Sequence, residues 1–160
     1  MIYTIRQAAP DDVRPALDLA LRVFMKYEAP EYGAEATARF KADIVYNEDF
    51  IRNWQNGTNL MYAALDGDNI VGVIGEKWNN GHINLLFVDG KYHRRGIATA
   101  LTDAMASGLK SRGHGKLTVF SSPYGLPFYL NYGFTPTDEK QRKDGFIFTP
   151  MAYDFKEIEY

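Results

Sequence analysis

Between Leu60 and Val88 the hydrophobic pattern of this chain changes period, and that stretch narrows the fold more than any other. Leu60 to Leu65 and Ile70 to Lys77 have the short apolar runs of strands, separated by the turn Asp66-Gly67-Asp68-Asn69. Asn79-Asn80-Gly81 follows, and Asn-Gly tolerates the positive φ angles of a tight hairpin. His82 to Val88 therefore pairs back antiparallel. The result is a three-strand meander, with Ile83, Leu85 and Phe87 expected on one face.

The flanks of this meander are helical. Ala9-Pro10-Asp11-Asp12 marks a helix start with an Asp as cap, and Val13, Leu17, Ala20, Leu21 and Phe24 follow at helical spacing. Pro15 falls near the first turn, where it is tolerated. Glu28 to Gly33 interrupts that helix; Phe40, Ile44 and Val45, then Phe50, Ile51 and Trp54, give further helical pieces. Ahead of them Ile2 to Arg6 alternates as a strand. Beyond the meander, Ile97, Leu101, Ala104, Met105, Gly108 and Leu109 form one apolar stripe ending near Gly113. Lys116 to Phe120 is a short strand, Pro123 opens a short helix carrying Phe128, Tyr129 and Tyr132, and the tail alternates around Phe146 to Phe148. The order β-α-α-β-β-β-α-β-α-β-β calls for an α/β fold, a mixed sheet with helices on its faces.

At 160 residues the chain fits a single domain, 1–160, and 46% apolar with 24% charged residues are globular proportions. It contains no cysteine, which excludes disulfides, thiolate metal sites and a Cys nucleophile. A formal charge of -2 gives no bulk electrostatic reason for nucleic-acid binding. Met1 to Pro10 lacks an apolar run, so no signal peptide is expected, and no stretch reaches the length of a membrane span. A cytoplasmic location is the expectation. The three histidines lack ligand spacing, and no metal is expected.

Chemistry concentrates at His93-Arg94-Arg95-Gly96-Ile97-Ala98, between a strand and a helix. A helix start leaves backbone N–H groups unpaired and carries partial positive charge. Gly96 and Ala98 are small enough for a diphosphate to approach those amides, and Arg94 and Arg95 add charge at the mouth. The turn is neither a P-loop nor Gly-x-Gly-x-x-Gly. Taken by itself it is a generic anion cradle.

Leu85-Leu86-Phe87-Val88 followed by this turn and an amphipathic helix resembles motif A of the GNAT N-acetyltransferase superfamily, Arg/Gln-x-x-Gly-x-Gly/Ala, with His93 in the first position. Phe128-Tyr129-Leu130-Asn131-Tyr132-Gly133-Phe134 resembles the family's Phe-Tyr-x-x-x-Gly-Phe. Ser121-Ser122-Pro123-Tyr124 and Gly145-Phe146 to Pro150-Met151 resemble a bacterial branch. The resemblance implies a mostly antiparallel central sheet with a V-shaped notch. It implies acetyl-CoA as cosubstrate, with Phe87 and Val88 against the pantetheine arm and Arg94, Arg95, Gly96, Ile97, Ala98 and Thr99 around the pyrophosphate. Ser122 stands where relatives carry an Asn that contacts pantetheine or orders water.

The same resemblance makes Tyr129 the acid that protonates the departing sulfur. Glu76 and His82, on either side of the Asn-Gly hairpin, are the candidates for the base, Glu76 first, with a water chain as the other route. Glu28 and Glu31 fall in the loop that forms the acceptor wall, where carboxylates attract a cationic amine. The implied activity is direct acetyl transfer to a primary amine, a small molecule first and a protein amine second. A non-catalytic acyl-CoA sensor and an aminoacyl-tRNA acetylase are the rival readings. Relatives dimerise through late strands, which makes Phe146 to Tyr153 a candidate homodimer surface.

Overall fold

A computed structural model describes residues 3–155. Ile2, the first residue of the expected opening strand, and residues 156–160 of the expected domain lie outside the described residues. The chain runs β1 (Thr4–Gln7), α1 (Val13–Tyr27), α2 (Ala29–Tyr32), α3 (Ala34–Phe40) and α4 (Glu48–Gln55), then β2 (Met61–Asp66), β3 (Asn69–Lys77) and β4 (His82–Val88). It continues through α5 (Ile97–Ser111), β5 (Lys116–Ser121), α6 (Leu126–Tyr132), β6 (Thr135–Pro136), β7 (Gln141–Lys143) and β8 (Phe146–Asp154). The expected Asp cap of α1 is not made: Asp12 stands at the N-cap position, but its side chain bonds backwards, away from the helix amides. Asp12 Oδ2 accepts from Ala9 N at 2.8 Å, and the carboxylate also meets Arg6 at 3.2 Å.

The strands form one eight-stranded sheet in the order β1-β2-β3-β4-β5-β8-β6, with β7 paired to β8. Every neighbouring pair is antiparallel except β4–β5, which α5 joins as a parallel crossover. That parallel ladder is short: His82 faces Thr118 and Ile83 faces Val119, and the strands then part. The remainder of β4, through Val88, has β3 on one side and an open notch on the other.

Two register shifts adjust the meander. Gly75 faces Leu85 but Glu76 faces Ile83, so Asn84 is an extra residue bulged out of β4. This corrects the expected common face: Ile83 packs with the α5 side of the sheet, while Leu85 and Phe87 pack with the α1 side. A shift between Ala64 and Leu65 likewise leaves Val71 extra on β3.

Two apolar clusters sandwich the sheet. On one face α5 packs Ile97, Leu101, Met105 and Leu109 against Val71, Ile74, Ile83, Leu117 and Val119. Gly72 lets this helix lie close, because a Cβ there would come within 3.1 Å of Ile97 and Leu101. On the other face Leu17, Phe24, Phe40 and Trp54 cover Met61, Val73, Leu85 and Phe87. Among the described residues no helix is long and apolar enough to cross a membrane.

Candidate functional site

Where β4 and β5 part, a cavity of about 910 Å³ opens. One wall is built by the turn between β4 and α5. Asp89 Oδ1 accepts from Lys91 N at 3.0 Å and its carboxylate meets Arg22 at 3.4 Å; the backbone bond, then Arg22 and Lys91, holds its pKa below the ordinary value. His93 Nε2 lies 2.8 Å from Val88 O, the ring N–H donating, so this histidine closes the turn.

Arg94 and Gly96 both take positive φ, 63° and 78°. Glycine adopts such angles without steric cost and stands here as the cap of α5, with no side chain to occupy the helix's first amides. The amides of Ile97, Ala98 and Thr99 thus lie at the positive end of a fifteen-residue helix, beside Arg94. Arg94, Gly96, Ile97, Ala98 and Thr99 all line the cavity, as do Phe87, Val88 and Ser122. Arg95 does not; its guanidinium lies 5.6 Å from the ring of Tyr92, which does.

The facing wall comes from the segment between β5 and α6. Gly125 N donates to Ser122 Oγ at 2.9 Å and sets the approach to α6. From that helix Tyr129 reaches the cavity wall, only 7% exposed, its ring edge-on to Phe128 and Phe134. Burial, and then the charge of Glu28, push its hydroxyl above the usual tyrosine value, so it stays protonated at neutral pH.

The end of α1 supplies a carboxylate. Glu28 is half-buried in the cavity wall, and its pKa rises to about 7. Desolvation raises it most, a hydrogen bond with Ser122 opposes that rise, and Glu31 adds to it. Glu31 itself is exposed and does not line the cavity. Tyr32 does, and its hydroxyl donates to Ile147 O at 3.2 Å, tying α2 to β8.

The two candidate bases fare differently. His82 lines the cavity with Nδ1 2.8 Å from Thr118 Oγ1, but burial and Lys77 lower its pKa to about 4. Glu76 is not in the cavity wall. It is fully buried, its carboxylate accepting from Leu60 N at 2.9 Å and Gly81 N at 3.3 Å. Trp54 Nε1 donates to its backbone carbonyl at 3.0 Å. Both carboxylate oxygens are therefore occupied by main-chain donors, and the geometry makes Glu76 a fastening for the hairpin.

Sequence reasoning did not bring the tail to the site. The hairpin of β7 and β8 lays Lys143, Asp144, Phe146 and Phe148 along the cavity. The dipeptide Asp144-Gly145 ahead of alternating Phe146 and Phe148 carried the hairpin signal, but not its destination. Among the described residues no group of three or more acidic or histidine side chains is arranged to hold a metal ion.

The mixed sheet parts at its parallel pair, and the first turn of the crossover helix opens onto the resulting cavity. The Acetyltransferase (GNAT) domain family matches residues 28–155, and the chain belongs to that family of N-acetyltransferases. It is 28% identical over 151 residues, 91% of this chain, to an uncharacterised N-acetyltransferase of Methanocaldococcus jannaschii. The chain spans 65% of that relative's length.

Solved structures share the fold. The PaiA N-acetyltransferase of Thermoplasma acidophilum, in complex with coenzyme A, has a TM-score of 0.78 at 20% identity, covering 97% of this chain and 100% of that one. A GCN5-related N-acetyltransferase from Rhodopseudomonas palustris gives 0.76 at 21% identity, covering 97% and 99%.

Proposed function

We propose that this chain, acting over residues 1–160 as one cytoplasmic domain, transfers an acetyl group from acetyl-CoA to a primary amine of a small molecule in a ternary complex. One observation carries the reading: the positive-φ turn with its helix amides opens onto the same cavity as Tyr129 and Glu28. The notch beside β4 fits a pantetheine arm along Phe87 and Val88. Arg94, Gly96, Ile97, Ala98 and Thr99 fit its diphosphate, with Arg95 adding charge outside and Ser122 closing the opposite wall.

Acetyl-CoA supplies the activated thioester. Glu28, poised near neutrality, takes a proton from the amine as the C–N bond forms. As the C–S bond breaks, Tyr129 Oη gives its proton to the sulfur, and solvent restores both side chains. Glu28 fills the role expected of Glu76, which has no free oxygen to offer.

Calorimetric titration tests the donor half. Acetyl-CoA should bind stoichiometrically, and no heat at high micromolar concentration would overturn the reading.

A further inference from the structure

We infer that the acceptor is a monoamine carried on an aromatic body, not a polyamine. The inference rests on the acetyl-transfer reading above and extends it to the far end of the cavity.

That end is walled by rings. Tyr32 and Phe146 meet edge to face at 5.3 Å, Phe120 and Phe148 lie 4.8 Å apart, and His82 stands 4.6 Å from Phe120. Phe120 is 58% exposed although it belongs to the cavity wall. An exposed ring inside a concave site is apolar surface still open to a ligand, and offset or edge-on rings are what a second aromatic group packs against. His82 keeps this shelf uncharged, since burial and Lys77 hold it neutral at physiological pH.

The charges fit one ammonium. Asp43 and Asp144 share one guanidinium, that of Arg39, at 3.8 and 3.7 Å. Glu28 makes no ion pair among the described residues and faces the cavity beside Ser122. Lys77 and Lys143 line the same end, so a second ammonium would meet like charge there. A polyamine needs a row of free carboxylates; of the three that line this cavity, Asp43 and Asp144 share the guanidinium of Arg39, with Lys77 and Lys143 in the same wall, which leaves Glu28 beside the shelf of rings.

The experiment is thiol release from acetyl-CoA by the full chain with tryptamine, phenethylamine, isoamylamine, putrescine and spermidine. The aryl amines should exceed the others in kcat/KM by about tenfold or more. Phe120→Ala and Phe148→Ala should raise KM for tryptamine roughly five- to tenfold, well beyond any change in KM for isoamylamine. Phe120 is exposed enough that its variant should fold, and the wild-type panel stands without either variant. Spermidine preferred, or isoamylamine equal to phenethylamine, would overturn the aromatic assignment and leave acetyl transfer standing. Acetyl-CoA binding with no amine acetylated would overturn both.

Discussion

Glu28 and Tyr129 form the pair of titratable groups on which the proposed chemistry turns. Glu28 is neutral below about pH 7 and ionised above it, against an ordinary value of 4.5. The kcat/KM of the wild type should therefore rise with pH through about 7. Glu28→Gln should be slower by about 10²–10³-fold and lose that limb, as a pH–rate profile would show. Stability has the opposite sign. A folded pKa raised above the unfolded one favours the fold at low pH, and that contribution is lost as pH rises through 7. Glu28→Gln should thus melt above wild type at pH 8 and level with it at pH 4. Tyr129→Phe keeps the ring contacts with Phe128 and Phe134 and removes the proton. Its kcat should fall by about 10²–10³-fold with acetyl-CoA affinity intact, measured by single-turnover kinetics and calorimetry.

At the scale of elements, the bulge at Asn84 sets the register of β4, and the carboxylate of Glu76 fastens the hairpin that leads into it. Removing Glu76 leaves the amides of Leu60 and Gly81 buried without partners. Glu76→Ala should cost roughly 2–4 kcal/mol and lower Tm by roughly 5–15 °C, while Glu76→Gln, which keeps an acceptor oxygen, should lose less. Thermal melts of the two variants check this. The elements themselves were legible because period and turn chemistry are local: the Asn-Asn-Gly run marked the hairpin, although the positive φ angles fall at Trp78, Asn79 and Gly81 and not at Asn80, and Gly96 marked the turn before α5. The bulges were not, since the slip at Asn84 depends on bonds from Glu76 to Leu60 and Gly81 that no local pattern encodes. For the same reason Glu28 read as a carboxylate of the acceptor wall and not as a titrating base. Its pKa is set by burial and by Ser122, which is 94 positions away in the sequence and which the fold brings into the same cavity. The open start of α5 was legible because the small size of Gly96 and Ala98, which leaves the first amides uncovered, is a property of the residues themselves.

Across the whole molecule the sheet is two halves, β1 to β4 and β5 with β6 to β8, joined by a two-pair ladder. The halves share an apolar core on the α5 face, where Leu117, Val119 and Met151 pack with Ile74, Ile83 and Leu101. On the α1 face the buried cluster draws only on residues before β5, and Phe146 touches it from the edge. The molecule is therefore bound like a book, with its spine along α5 and its fore-edge at the cavity. Breathing motions should open at the fore-edge, so hydrogen exchange in β7 and the start of β8 should outpace exchange in α5. A ligand lying across both covers would act as a clasp. Saturating acetyl-CoA should slow that exchange and raise Tm, with a stabilisation of about 2.7 kcal/mol at a hundredfold excess over Kd.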